Sequence, residues 1–116
     1  MVTSGTRAKD AFMSNCSLPD WLILWIWQAL LGEIYQEIRA IAARYSDDRI
    51  MTIRYYLDRE PAEYDYESID IVIFNILTFD TVGGKISSAI DECVFSKNFF
   101  KDIDILDGLV YARREY

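Results

Sequence analysis

The sequence predicts an α+β domain, an antiparallel four-stranded sheet carrying two helices in the order α-β-β-α-β-β. Three observations predict it. Residues 49–58 alternate as a strand does, with Met51, Ile53, Tyr55 and Leu57 facing one way and Thr52, Arg54, Tyr56 and Asp58 the other. Two stretches, one before this strand and one after, carry apolar residues at helical spacing. Short polar turns separate the remaining β-rich runs, which reads as consecutive hairpins and therefore antiparallel pairing.

A chain of 116 residues suffices for one domain with one core. Residues 1–15 are polar and mixed, and are expected to form a poorly ordered arm. Met13 offers a second start within it. The arm lacks the long apolar core of a secretory signal. Residues 16–116 are expected to form the single folded domain.

The elements follow in order. Ser17-Leu-Pro-Asp20 reads as a capping box, with the Ser17 hydroxyl and the Asp20 carboxylate satisfying early helix N–H groups. Residues 21–31 are apolar nearly all round. A membrane span needs about twenty such residues, so a helix buried on most sides is the better reading. Gly32 suits the left-handed position that ends a helix. In residues 33–45, Ile34, Ile38, Ile41 and Tyr45 fit helical spacing, and one long helix to Tyr45 is the rival reading. Gly32 and the polar turn at Ser46, Asp47 and Asp48 favour a hairpin, with strands over about 34–44 and 49–58. After Pro61, residues 63–79 carry Tyr66, Ile69, Ile73, Ile76 and Leu77 at three- and four-residue steps. Acids occupy the first turns, where the helix dipole favours them, so this is the second helix. Residues 80–84 are a loop and 85–96 a third strand. Residues 97–102 form a turn with two aromatics. Residues 103–113 are a fourth strand, with Gly108 marking a bulge.

Composition removes most chemistry. There is no histidine, and Cys16 and Cys93 are the two cysteines. A zinc site and the Ser-His or Cys-His arrangements are thereby excluded. Two cysteines are too few for a disulfide framework, and reduced thiols suit a cytoplasmic protein. Val82-Gly-Gly-Lys85 lacks P-loop spacing and reads as a flexible turn. Pairs such as Asp58 and Glu60, or Asp102 and Asp104, read as solvated turn acids, and Asp47-Asp48 lacks calcium-loop spacing. The expected protein is not an enzyme, with no catalytic residue, metal or cofactor. Trp21, Trp25 and Trp27 are read as core packing ahead of a binding groove.

The formal net charge of −7 disfavours direct nucleic-acid or anionic-membrane binding and favours a basic protein partner. Residues 58–70 concentrate this charge, with six acids against the single base Arg59. Helix-dipole complementarity accounts for part of that density. The remainder, interleaved with tyrosines, reads as a surface for a cationic partner. The candidate binding residues are Asp58, Glu60, Glu63, Tyr64, Asp65 and Glu67, with Asp47 and Asp48 secondary.

Arg54-Tyr-Tyr-Leu-Asp-Arg-Glu-Pro-Ala-Glu-Tyr-Asp-Tyr-Glu67 resembles a segment of small bacterial immunity proteins that accompany polymorphic toxins of the contact-dependent growth inhibition type. Leu31-Gly-Glu-Ile-Tyr35, Ile38-Arg-Ala-Ile41 and Leu106-Asp-Gly-Leu-Val-Tyr-Ala-Arg113 belong to the same pattern. The resemblance implies a non-enzymatic inhibitor of a cognate basic toxin domain, often a nuclease. Its carboxylates would stand in for nucleic-acid phosphates before a basic groove. The alternative is an acidic structural or regulatory subunit that docks a larger complex. A small carboxylate enzyme is a third reading, which would need a pocket holding two acids with raised pKa values.

Overall fold

The computed structural model describes residues 16–115. The expected N-terminal arm lies outside the described residues. The elements are α1 (Asp20–Leu30), β1 (Ile38–Tyr45), β2 (Ile50–Leu57), α2 (Glu63–Phe79), β3 (Ser88–Phe95), a 3-10 turn (Phe100–Asp102) and β4 (Gly108–Ala112).

Helix α1 buries Leu22, Ile26, Ala29 and Leu30, spaced to form one stripe. It is not buried on most sides as its composition predicts. Leu24 is 56 % and Leu31 79 % exposed, both on the outer side. The expected capping box does not form. Ser17 instead turns toward β4, its N–H donating to the Asp107 carbonyl at 2.7 Å. Gly32 ends the helix with a φ of +81°, as read from the sequence. Residues 33–37 form a turn, so the first strand begins at Ile38, later than expected. The long-helix alternative does not form.

The sheet has strand order β3-β2-β1-β4. β1 pairs antiparallel with both β2 and β4, while β2 and β3 run parallel. The sheet is therefore mixed, and the expectation of a wholly antiparallel one is corrected. The second hairpin, expected between the third and fourth strands, is absent because these strands lie on opposite edges. The cause is the length of α2. Seventeen helical residues span about 25 Å, close to the length of the eight-residue strand before them. The chain is carried back to the end where β2 began, and β3 must run the same way.

Met51, Ile53, Tyr55 and Leu57 face the helices, as their alternation predicts. They form one core with Ile38, Ile41 and Ala43 of β1, Leu22 and Ile26 of α1, and Ile69, Val72 and Ile76 of α2. Each large side chain buried there contributes about 1.5–3 kcal/mol. The opposite face is also covered. Residues between β3 and β4 cross it, and Ile103 and Phe100 pack over Ala40, Ala42 and Tyr56. The alanines of β1 leave room for that crossing. Tyr56 Oη fastens it by donating to the Asp104 carbonyl at 2.7 Å.

Candidate functional site

Helix α2 begins where the acidic segment is densest, and it divides that segment. The residues that must face the core to cover β2 and β3 are Asp65, Ser68, Ile69, Val72 and Ile76. Those displaced to the other side, Glu63, Tyr64, Tyr66, Glu67 and Asp70, are exposed. Glu63, Glu67 and Asp70 share one face by their spacing.

Asp65 is thereby taken off the proposed surface. It is 0 % exposed. Arg59 binds both its oxygens, at 2.6 and 3.0 Å, and the Ala62 N–H and the Tyr35 hydroxyl also donate to it. Burial alone would raise this carboxyl, yet the bonds from Arg59, Tyr35 and Ala62 outweigh it and hold the group below the usual range. Burial, then the bond to Asp65, raises the Tyr35 phenol. Asp65 is a fastening between the β2–α2 turn and the helix.

Asp58 is half engaged, with Arg113 Nη1 at 2.8 Å from its Oδ2. Glu60 stands exposed beyond it. Tyr64 is 59 % exposed and its ring packs edge-on against Tyr35, with centroids 5.1 Å apart. Asp47 and Asp48 lie in the β1–β2 turn, one strand length away, about 25 Å for eight residues. The structure therefore groups Glu60, Glu63, Tyr64 and Glu67, with Asp58 at the margin, and leaves Asp47 and Asp48 apart.

Two features of this surface were not among the expected residues. Tyr66 and Asp70 extend the acidic face. Beyond Asp70 the outer side of α2 turns apolar, with Ile71 49 %, Phe74 71 % and Leu77 39 % exposed. Leu24 of α1 and Leu31 at its C-terminal cap are exposed as well. The signal was present in the sequence, because both helices carry more apolar residues than one buried stripe can use.

Charge is divided in the same way. No lysine or arginine occurs in residues 17–38 or 60–84, which contain both helices. The cations cluster on and around the strands, where they meet internal acids. Arg54 pairs with Glu92 at 2.7 Å, and Arg39 with Glu115 at 2.9 Å. Arg39 and then Arg113 hold the Glu115 carboxyl down at about 2, against the opposing effect of burial. Arg39, Asp58, Ser96, Lys97, Arg113, Arg114 and Glu115 line a shallow cleft of about 540 Å³. This cleft is an ion-pair network. Asp65 and Glu115 are both held below the usual carboxylate range by their arginine partners, the reverse of what a general acid requires. Among the described residues, no helix is long and apolar enough to cross a membrane.

The outer side of α2 is therefore acidic toward its start and apolar toward its end. The family model of the MafI2 immunity protein matches residues 19–115. The chain belongs to the MafI2 immunity protein family. That match spans α1 through β4 and confirms the immunity-protein part of the resemblance. It points to a Maf toxin system and adds nothing specific to contact-dependent growth inhibition. No curated protein matches the chain.

Proposed function

We propose that this chain neutralises a cognate toxin domain by laying the outer side of its helical layer over a basic substrate groove. The toxin is read as a nuclease, because a groove that binds nucleic-acid phosphates is cationic. Glu60, Glu63 and Glu67 would occupy phosphate positions, while Tyr64, Tyr66 and Phe74 would supply contact area. The observation that carries this reading is the absence of any base from both helices, beside exposed Glu60, Glu63 and Glu67, which make no ion pair among the described residues. Asp58 contributes at the margin, and Asp47 and Asp48 stand outside the contact. The protein would act by binding alone and without a cofactor. The free thiols of Cys16 and Cys93 fit a cytoplasmic site of action. Contact-dependent delivery of the toxin is the reading that the motif resemblance at residues 54–67 supports.

Co-expression tests this. Cells producing the toxin domain encoded beside this chain should survive when the chain is present, and the two proteins should co-purify one to one. Growth arrest despite soluble, folded chain would contradict the proposal. So would a complex in which the toxin keeps its full activity.

A further inference from the structure

The sheet has two edges, and they differ. β4 is a five-residue strand whose pairing with β1 contains a register shift. Trp27 of α1 lies against it, and its indole Nε1 donates to the Val110 carbonyl at 2.9 Å. That edge is short, irregular and partly occupied. β3 is eight residues long and matches β2 residue for residue from Ser88 to Phe95 without a shift. It contains no proline, glycine or lysine, the devices that commonly blunt an edge. Among the described residues, no other element hydrogen-bonds to the backbone of Ser88–Phe95. A strand paired on one side directs alternate N–H and C=O groups outward, so this edge offers a row of unmet donors and acceptors.

The side chains along the edge narrow the choice of occupant. Asp91 is exposed and Ile90 is 46 % exposed. Helix α2 packs against β3 and carries a further exposed acid, Asp70. Glu92 stands on the opposite face, paired with Arg54. A second copy paired through Asp91 would set two carboxylates opposite one another, and like charges across a strand pair are destabilising. A strand with lysine or arginine at alternate positions would meet complementary charge and an apolar contact at Ile90.

We infer that the outer edge of β3 receives an extended, basic segment of the toxin, which adds a fifth strand to the sheet beside α2. This rests on the immunity reading and assigns it a backbone-mediated component. Because α2 packs against β3, one partner would cover this edge and the outer side of α2.

Hydrogen exchange on the free chain and on its complex with the adjacent-gene toxin domain tests it. The amides of Ser88–Phe95 should exchange about ten-fold more slowly in the complex, while those of Gly108–Ala112 stay unchanged. Asp91→Lys, at an exposed position, should fold normally and weaken binding about five-fold. A tight complex with unchanged β3 exchange overturns the inference and leaves the immunity reading intact. Protection of β3 that rises with the concentration of the chain alone also overturns it, because the edge would then pair with itself. Failure to form any complex overturns both.

Discussion

The Arg59 guanidinium holds both oxygens of the Asp65 carboxylate, at 2.6 and 3.0 Å, across the Pro61 turn that joins β2 to α2. This pair fixes where α2 starts and therefore which of its residues reach solvent. Replacing Asp65 by alanine would release the partly exposed Arg59 to solvent and leave the Tyr35 hydroxyl and the Ala62 N–H without their acceptor. Leaving buried polar groups without their partner costs about 2 kcal/mol. Urea denaturation of Asp65→Ala should show a loss of that size. Toxin affinity measured at a temperature where the variant is folded should change little, because Asp65 is not on the surface.

Acid stability follows from the same bonds. Asp65 and Glu115 both have folded pKa values below their ordinary ones, Glu115 at about 2. A depressed carboxylate contributes stability that is present above its unfolded pKa and is lost as pH falls through the folded value. The fold should keep this contribution at neutral pH and lose it from about pH 4.5 down to about pH 2. Melting temperatures across that window check this, and Glu115→Gln should flatten part of the slope.

Cys93 sits half-buried on β3. Burial first, then the charges of Asp65, Asp91 and Asp70, pushes its thiol up to about 12. The thiolate is the reactive form, so alkylation of native Cys93 at pH 8 should be at least about 100-fold slower than in urea. Mass spectrometry of iodoacetamide-treated protein measures it. Fast modification would mean that the β3 side of the core opens readily.

Much of the fold was legible locally, and the failures share a physical cause. The bounds of α2 follow from the Pro61 breaker and the three- and four-residue apolar steps. The facing of Met51, Ile53, Tyr55 and Leu57 follows from alternation. Strand partnership does not follow, because the residues of β3 satisfy the same alternation beside β2 or beside β4. Only the length of the intervening helix decides between them. The candidate site divides in the same way. The density of acids and tyrosines in residues 58–70 was visible, but Asp65 resembles Glu63 and Glu67 in sequence. Its burial depends on Tyr35, thirty residues away, and on Arg59 being brought round by the turn. Tyr66 and Leu77 fit the helical spacing yet are exposed, because spacing does not show how many apolar residues the sheet can cover.

Phe74 separates stability from binding. At 71 % exposure it contributes little to the core. Phe74→Ala should leave the unfolding free energy within about 0.5 kcal/mol. It should weaken toxin binding by about 2 kcal/mol, the loss typical of an aromatic anchor at an interface. Calorimetry on one preparation of the variant gives both values.

The affinity of the E60K/E63K/E67K variant for the toxin domain bears most directly on the role of the acidic helical face. These side chains are exposed and make no ion pair among the described residues, so the variant should fold and melt only slightly lower, the loss coming from the Glu63 charge that complements the start of α2. Reversal of three rim charges at about 1 kcal/mol each predicts a fall in affinity of about 100-fold, with a slower association rate and loss of protection in co-expressing cells. Unchanged affinity and full protection from a folded variant would contradict it.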